Sequence, residues 1–213
     1  MKISAIIPTL NRERYVKRAI ESVMCQSAPV DEIIVVDNGS CDDTCSLIRE
    51  NYPKIKLLHE PKLGVSRARN RGILNAKNSW VAFLDSDDEW SKFKNEKFVA
   101  AYSASCEKYN IWHCNEIWFR NGLKLNQKKR HKKKGGDLFK SCLDMCCVSP
   151  SSSVMNKKIF KNFGLFDEEM EVCEDYDFWL RVSIDESFGF IDEELVIKHG
   201  GHNDQLSKKF WGM

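Results

Sequence analysis

Three aspartates follow directly on a short apolar run in the middle of this 213-residue chain. The run WVAFL (residues 80–84) is followed by Asp85, Ser86, Asp87 and Asp88. Two carboxylates about 5 Å apart repel each other by roughly 3 kcal/mol at an effective dielectric constant near 20. Paired carboxylates with open positions suit a hard divalent ion that also binds phosphate oxygens of a substrate. Taken alone, however, the pattern also fits a solvated acidic turn that caps the next helix.

The elements that must position these aspartates alternate between strand-like and helix-like segments. Each strand is followed by polar residues, and open sheets of this kind bind ligands outside the carboxyl ends of their strands. Repeated βα units of this length predict a parallel sheet with helices on both faces. The predicted strands and helices of this half are Ile3–Pro8, Tyr15–Cys25, Glu32–Val36, Asp42–Asn51, Ile55–His59, Ser66–Lys77 and Trp80–Asp85.

The second half of the chain is less regular. A run of lysines and one arginine ends in two glycines, and this basic segment (residues 124–136) is predicted to be a mobile exposed loop. It would make electrostatic contact with a phosphate-bearing acceptor or an anionic membrane surface, and a merely solvated loop is an equal alternative. The other elements predicted here are a helix over Lys92–Tyr109, a strand over Ile111–Arg120, a turn at Asn121-Gly122, strands at Val154-Met155 and Leu195–Lys198, and an amphipathic helix over Cys173–Ile184.

Composition indicates an ordinary globular protein, with 42% hydrophobic and 30% charged residues. The length fits one domain, and a net charge of only +2 gives no argument for a nucleic-acid partner. The nine cysteines are scattered, and the first residues resemble a strand rather than a secretory segment, which together favour reduced thiols. No apolar run is long enough to span a membrane. We therefore expect a cytoplasmic protein, with peripheral contact at the inner face of a membrane as a further option.

Five motifs occur in an order that resembles a known family. They are AIIPTLNR, IIVVDNGSCDDT, GVSRARNRGI, FLDSDDEW and CEDYDFWLR. The chain resembles a small family 2 glycosyltransferase, an inverting enzyme with the GT-A fold that uses a nucleotide-diphosphate sugar. The resemblance implies a single GT-A domain over residues 1–213 with a Rossmann-like, mostly parallel sheet. Residues from about 1 to 110 would form the nucleotide-sugar-binding half, and residues from about 111 to 213 the acceptor-binding half.

The resemblance also implies which residues bind the donor. A carboxylate at Asp37 would accept the imide N–H of uracil, although a helix cap is the alternative for this residue. Of the polar residues that open the third predicted helix, Arg67 and Asn70 are chosen, because Arg69 and Asn70 do not both share the face of Arg67 and Arg71. The complete predicted donor site is Pro8, Thr9, Asn11, Arg12, Asp37, Arg67, Asn70, Asp85 and Ser86.

A divalent metal, Mg²⁺ or Mn²⁺, is the expected cofactor. By resemblance Asp87 binds the metal and Asp85 binds the metal or the ribose, so that the ion neutralises the leaving diphosphate. His199 is a further candidate ligand, and its imidazole would suit Mn²⁺ better than Mg²⁺. His202 is a weaker candidate, and both histidines could equally be ordinary loop residues.

Glu174 and Asp175 match the acidic pair at the acceptor side of the family. An inverting transfer needs one base opposite the leaving group to take the acceptor's proton. The resemblance assigns that role to Asp175, with Glu174 orienting the base or the acceptor. The alternative is that both residues simply cap the helix that they begin.

The predicted reaction moves a sugar from a nucleotide-diphosphate donor, preferably a UDP-sugar, to a hydroxyl of a glycan or lipid-linked acceptor, in glycan, lipopolysaccharide or capsule-type assembly. A sugar-1-phosphate nucleotidyltransferase would need a glycine-rich phosphate loop after the first strand, and TLNRERY has no glycine. A binding module without transferase activity would leave the polar strand ends and Asp175 unexplained. The sequence gives no indication of the sugar, the acceptor or the oligomeric state.

Overall fold

Nine β-strands form one continuous sheet in the computed structural model, which describes residues 1–201. Their order across the sheet is β3-β2-β1-β4-β8-β6-β9-β5, and β7 pairs with β6. The strands are β1 (Ile3–Thr9), β2 (Glu32–Asp37), β3 (Lys56–His59), β4 (Trp80–Phe83), β5 (Glu89–Trp90), β6 (Ile111–Arg120), β7 (Leu123–Leu125), β8 (Val154–Asn156) and β9 (Gly189–Gly200). The helices are α1 (Val16–Met24), α2 (Thr44–Asn51), α3 (Val65–Asn75), α4 (Lys94–Ala104), α5 (Phe139–Asp144), α6 (Lys158–Phe163) and α7 (Glu174–Ser183).

The first four strands run parallel to one another, as the βα alternation predicts. In register, Ile6 of β1 lies between Ile34 of β2 and Phe83 of β4. Beyond β4 the sheet is mixed, because β8 runs antiparallel to both β4 and β6 while β9 runs parallel to β6. The predicted mostly parallel arrangement therefore holds for the first half, and the second half returns through antiparallel pairs.

Helices cover both faces of the sheet, and the alternation of side chains along β1 shows why. Ile3, Ala5 and Ile7 point into one buried cluster, which α1, α2 and α4 complete. Ile6 points into the other, which α3, α5, α6 and α7 complete. Each face thus buries an apolar layer of its own. Within residues 1–201, none of the helices has both the length and the apolar character needed to cross a bilayer.

Helix α3 packs against β1 at an unusually short distance. A Cβ added to Gly72 would lie 2.4 Å from Cγ2 of Ile6, so a larger residue could not be accommodated without a shift. The residues of α3 that are buried include Ser66, Arg69, Asn70 and Ile73, which follow the spacing of one helix face. This face carries the polar side chains of Ser66, Arg69 and Asn70 toward the interior.

Several boundaries differ from the prediction for local reasons. Helix α4 ends at Ala104 rather than reaching Tyr109, because Cys106 and Glu107 adopt positive φ angles of 52° and 62°. Strand β9 begins at Gly189, well before Leu195, since it pairs with β6 from the start of that strand. The short elements α5, α6 and β5 were not predicted.

The basic segment is more ordered than the predicted loop. It contains the end of β7 and a 3-10 turn at Lys129–His131. The side chain of Lys133 is only 7% exposed and its Nζ lies 2.7 Å from Oε1 of the buried Glu116. The carbonyl of Lys134 lies 2.8 Å from Nε2 of His113. The prediction of a mobile loop is therefore wrong for residues 133 and 134, which are fixed to β6.

Candidate functional site

Polar side chains meet at the edge of the sheet where β1, β2 and β4 end. Thr9, the last residue of β1, is in register with Asp37, the last residue of β2. The main chain beyond Thr9 is tied to the turn beyond Asp37, since the amide of Asn11 donates to Oγ of Ser40 at 2.9 Å and the amide of Cys41 donates to Oδ1 of Asn11 at 2.8 Å. The two loops thus form one wall of the candidate site.

Asp37 is a buried carboxylate within this wall. It accepts hydrogen bonds from the amides of Gly39 and Ser40 and lies 3.2 Å from Nδ1 of His59. Burial alone would raise the pKa of Asp37, but hydrogen bonds from Ser40 and His59 outweigh that effect and lower it. Because α2 begins only at Thr44, Asp37 does not cap it. An ionised acceptor at this strand end is consistent with the predicted recognition of a base N–H.

The other predicted residues of this wall lie beside Asp37. Pro8 and Thr9 are buried at the end of β1, and within residues 1–201 Oγ1 of Thr9 has no hydrogen-bond partner. Arg12 donates from its backbone amide to Oγ1 of Thr44 at 2.8 Å and from Nη1 to the carbonyls of Leu10 and Asn11. The structure therefore brings together Pro8, Thr9, Asn11, Arg12 and Asp37.

Arg67 and Asn70 contact a different region from the one that their predicted role suggests. Arg67 pairs with Glu168 at 2.7 Å and with Glu169 at 3.0 Å. Asn70 donates to the carbonyl of Phe166 at 2.9 Å and to Glu168 at 3.0 Å. Both side chains thus join α3 to residues 166–169, and their contact with a donor stays a prediction.

Arg69, which the sequence reasoning left out, occupies the centre of the site. Its Nη2 lies 2.8 Å from Oδ1 of Asp85 and its Nη1 lies 2.5 Å from Oε1 of Glu174. The charges of these carboxylates raise its pKa against the opposing effect of burial. Its position four residues before Ile73, on the stripe with Ser66 and Asn70, was the available signal. An arginine on a buried stripe requires carboxylate partners.

The repulsion among the aspartates is relieved by two different cations. Arg69 and Lys198 lower the pKa of Asp85 although burial alone would raise it. Asp88 is 2% exposed, and burial raises its pKa to about 7 even though Nζ of Lys198 lies 3.6 Å away. Ser151 donates to Asp88 at 2.7 Å and accepts from the amide of Asp85 at 3.1 Å. Asp88 is thus an internal anchor, whereas Asp85 is half-buried.

The remaining residues around the DSDD turn differ in accessibility. Ser86 is buried, at 6% exposed, while Asp87 is half-buried. The backbone carbonyl of Asp87 accepts from Nη2 of Arg18 at 2.5 Å. Arg18 lies on α1, which covers the face of the sheet opposite to α3, so it fixes the turn from the other side of the sheet. Asp85 and Asp87 are therefore the less buried aspartates of this turn.

The side chain of His199 contacts Glu89 rather than joining Asp85 and Asp87. Its Nε2 lies 2.5 Å from Oε1 of Glu89, and its ring stacks on Phe119 at a centroid distance of 5.8 Å. No three His, Cys, Asp or Glu side chains of residues 1–201 are placed to hold a metal ion together. The predicted set Asp85, Asp87 and His199 is therefore not assembled, and His202 lies outside the described residues. Two neighbouring carboxylates still fit an ion that takes most of its ligands from phosphate oxygens.

Glu174 and Asp175, at the start of α7, lie near Arg69 and Asp85. Glu174 is 5% exposed and contacts Arg69, while Asp175 is half-buried. Burial and the charge of Glu174 raise the pKa of Asp175. Its Oδ1 accepts the amide of Tyr176 at 2.8 Å, and its Oδ2 lies 3.7 Å from Sγ of Cys146. One oxygen of Asp175 thus contacts a first-turn amide of α7, so the capping alternative applies in part.

Comparison with known proteins gives consistent matches. The sequence model of glycosyl transferase family 2 matches residues 4–164. An uncharacterized glycosyltransferase of Rickettsia felis is 32% identical over 215 residues, covering 95% of this chain and 34% of its own length. The putative teichuronic acid biosynthesis glycosyltransferase TuaG of Bacillus subtilis is 40% identical over 100 residues, covering 45% of this chain and 39% of its own.

The fold is also similar to that of a solved structure. S. aureus TarS 1–349 in complex with UDP-GlcNAc superposes with a TM-score of 0.80 at 21% identity, covering 97% of this chain and 61% of that one. The predicted GT-A fold is therefore confirmed. The chain spans about a third of the length of the Rickettsia felis relative. Its motifs, the match over residues 4–164 and the geometry of the sheet edge agree, and the chain belongs to glycosyl transferase family 2.

Proposed function

We propose that this protein transfers a sugar from a nucleotide-diphosphate donor, preferably a UDP-sugar, to a hydroxyl acceptor with inversion at the anomeric carbon. One observation carries the proposal. The buried guanidinium of Arg69 binds both Asp85 and Glu174. Asp85 follows β4, which lies beside β1 on the proposed donor side, and Glu174 precedes the candidate base Asp175. Donor-side and acceptor-side carboxylates therefore face one site, as a single-displacement transfer requires.

In this reaction Asp175 is the general base. The acceptor oxygen attacks the anomeric carbon and forms the new glycosidic bond, the bond to the diphosphate oxygen breaks, and the acceptor proton passes to Asp175. A pKa above the ordinary carboxyl value makes Asp175 a better proton acceptor near neutral pH. Asp175 must be deprotonated to act, so the transfer rate falls as the pH is lowered through this raised pKa.

The donor is the part of the proposal with most support. The ionised Asp37 provides an acceptor for the uracil N–H, and TarS, which has a similar fold, was solved with UDP and with UDP-GlcNAc. For the acceptor, the name of TuaG in Bacillus subtilis refers to teichuronic acid. We infer a glycan, surface-polysaccharide or lipid-linked hydroxyl as the acceptor class.

Asp85 and Asp87 would hold a Mg²⁺ or Mn²⁺ ion together with the diphosphate. When bound, such an ion neutralises the charge that develops on the leaving diphosphate. Asp85 is kept ionised by Arg69 and Lys198, which makes it a suitable ligand. His199 is engaged with Glu89 and is left out of the proposed ligand set.

The test combines binding and turnover. Titration calorimetry with UDP and Mn²⁺ should give binding, and Asp37→Asn should weaken it. A panel of nucleotide sugars, followed by UDP release, identifies the donor. We expect Asp175→Asn to reduce turnover about 10²- to 10⁴-fold, with a UDP affinity like that of the wild type. Turnover retained in Asp175→Asn would remove Asp175 from the role. UDP binding without turnover of any sugar would favour a binding module, and no binding of any nucleotide diphosphate would reject the transferase.

We further propose that the basic segment contacts an anionic membrane surface where a lipid-linked acceptor would be presented. Its cations are exposed except for Lys133, and Leu123 at the hairpin tip is 73% exposed. Each lysine or arginine near such a surface contributes about 1 kcal/mol. The exposed cations are Lys124, Lys128, Lys129, Arg130, Lys132 and Lys134.

Vesicle sedimentation tests this contact. We expect the protein to sediment with phosphatidylglycerol vesicles at low salt and not with phosphatidylcholine vesicles. Replacing Lys128, Lys129 and Arg130 by glutamine should abolish the difference while unfolding stability stays unchanged. Equal sedimentation with both lipids would show that the segment is only solvated, and the proposed location at a cytoplasmic membrane face would lose its basis.

A further inference from the structure

We propose that Arg69 is a positioning residue that couples the donor side of this site to the acceptor side. This inference rests on the proposed transferase function. One guanidinium binds Asp85 through Nη2 at 2.8 Å and Glu174 through Nη1 at 2.5 Å. The side chains of Arg69 and Glu174 are only 5% and 7% exposed, so water competes little for these charge-assisted hydrogen bonds.

The position of Arg69 is itself fixed by its neighbour on α3. Its guanidinium lies 5.5 Å from the centre of the Phe166 ring. Asn70 holds the backbone of Phe166 from both sides, because its Nδ2 donates to the carbonyl at 2.9 Å and its Oδ1 accepts the amide at 3.1 Å. The surface under the guanidinium therefore cannot shift independently of α3.

Stability alone does not explain a buried arginine here. Within residues 1–201 its Nε is buried without a hydrogen-bond partner. An unpaired buried donor costs free energy, and apolar residues often stabilise such a position at least as well as an ion pair. A role in holding two carboxylates at a set distance accounts for the arginine better than a contribution to folding.

The contact with Glu174 also determines where Asp175 lies. Helix α7 starts after Cys173, whose φ of +64° is unusual for a residue with a side chain. The side chain of Cys173 is exposed, so its own packing does not maintain this turn. Glu174 is the first helical residue, and its bond to Arg69 fixes the turn that orients Asp175.

Only arginine suits this arrangement. The planar guanidinium presents separate N–H groups to two carboxylates at once, whereas a lysine ammonium is a point charge on a flexible chain. Arg69→Lys keeps the charge and removes the simultaneous contact. It therefore separates the positioning role from simple charge compensation.

The experiment measures the affinity for UDP, in Mn²⁺, of wild type, Glu174→Gln, Arg69→Lys and the double variant. Glu174 lies on the acceptor side, yet we expect Glu174→Gln to weaken UDP binding about five- to tenfold. Without its second carboxylate, Arg69 shifts toward Asp85 and withdraws it from the donor. In the Arg69→Lys background the same substitution should change the affinity less than about twofold.

Arg181→Lys is the matched control. Arg181 on α7 pairs with Asp177 at 2.8 Å and lies 5.3 Å from the ring centre of Phe178, so it resembles Arg69. Its other partners are the carbonyls of Phe163 and Leu165, not the aspartates of the DSDD turn. It should lower the unfolding temperature without changing the affinity for UDP. An equal loss of affinity in Arg181→Lys would show that Arg69 acts through stability alone.

The remaining outcomes are distinct. If Glu174→Gln leaves UDP binding unchanged in the wild-type background, the coupling is absent, and this result stands even if Arg69→Lys does not fold. If the effect of Glu174→Gln persists undiminished beside Arg69→Lys, the coupling does not pass through Arg69. Failure of the wild type to bind any nucleotide diphosphate would instead reject the proposed function, and the inference with it.

Discussion

Lys94 is a buried cation outside the proposed site. It is 2% exposed, and its Nζ lies 4.2 Å from the centre of the Trp90 ring. A cation over an aromatic face contributes on the order of 1–2 kcal/mol. Burial nevertheless lowers its pKa to about 8. The fold therefore disfavours the charged form that the lysine would have in the unfolded chain.

We expect Lys94→Met to stabilise the protein by about 1–3 kcal/mol at neutral pH, because it removes a desolvated charge and retains the apolar stem. The folded pKa lies below the unfolded one, so the wild type gains stability as pH rises from about 8 to 10.5, and the variant should lack this gain. Urea unfolding at neutral and alkaline pH measures both effects. Destabilisation by Lys94→Met would show that the contact with Trp90 outweighs desolvation.

Residue-level chemistry was only partly predictable from the sequence. Asp85, Glu174 and Asp175 were predicted to belong to one site, because acidic motifs at element boundaries can be read from the sequence. Asp85 and Glu174 do contact the same arginine, while the roles of all three residues stay predictions. Arg69 was missed because the choice among four polar residues of α3 depends on which face packs on the sheet. His199 was predicted as a metal ligand from the family resemblance. Its amide donates to Asp88 at 3.3 Å, but the pairing of β5 with β9, which brings Glu89 beside its ring, leaves no sequence signal.

At the scale of elements, a buried ion pair is one of the contacts that hold the basic segment to β6. Glu116 accepts hydrogen bonds from Ser149 and, at 2.8 Å, from Nε1 of Trp118 in addition to its pair with Lys133. Burial alone would raise the pKa of Glu116, but Lys133 and Lys198 lower it to about 2. This one carboxylate thus links β6, the basic segment and the loop before β8.

Lys133→Met should destabilise the protein by about 3 kcal/mol, because it leaves Glu116 buried with its nearest counter-charge removed. The folded pKa of Glu116 lies below its ordinary value of 4.5, so the stabilisation is complete above about pH 4.5 and is lost as pH falls toward 2. The variant should lose less stability over that range. Denaturant unfolding across pH tests this, with Lys132→Met as an exposed control that should match the wild type.

The regular elements were predictable where one signal dominated. Strands β1, β2, β3 and β4 are short apolar runs in a parallel sheet, and their predicted starts lie within a residue of the observed ones. Strand β5 has two residues, and α5 and α6 have six each, so none of them contains enough periods for a pattern. Their existence depends on tertiary contacts.

At the scale of the whole molecule, one continuous sheet joins the strands of the proposed donor half to those of the proposed acceptor half. One connection between the halves is the pairing of β4 with β8, in which Val81 opposes Met155. Both side chains are fully buried in the same cluster as Phe178 of α7. The proposed donor and acceptor surfaces thus share one core, and a ligand on one should stabilise the whole fold.

UDP at about 100 times its dissociation constant should add about 2.7 kcal/mol to the free energy of unfolding. For a chain of this size that corresponds to a rise in melting temperature of about 5–10 °C. Thermal unfolding in the presence of UDP and Mn²⁺ measures the shift, with ADP as a control for base selectivity. A shift confined to one of two separate transitions would mean that the halves unfold independently.

Gly72 sets the height of α3 above the sheet, and that height has a consequence for donor affinity. The helix rests with its backbone almost on Ile6, and Arg69 lies one turn earlier. A single added methyl group, as in Gly72→Ala, would raise the helix and move the guanidinium away from both carboxylates together. We therefore expect Gly72→Ala to weaken UDP binding, which calorimetry on the folded variant measures. An unchanged affinity would show that α3 accommodates the methyl group without moving Arg69. Donor affinity would thereby depend on a glycine whose close contact is with β1.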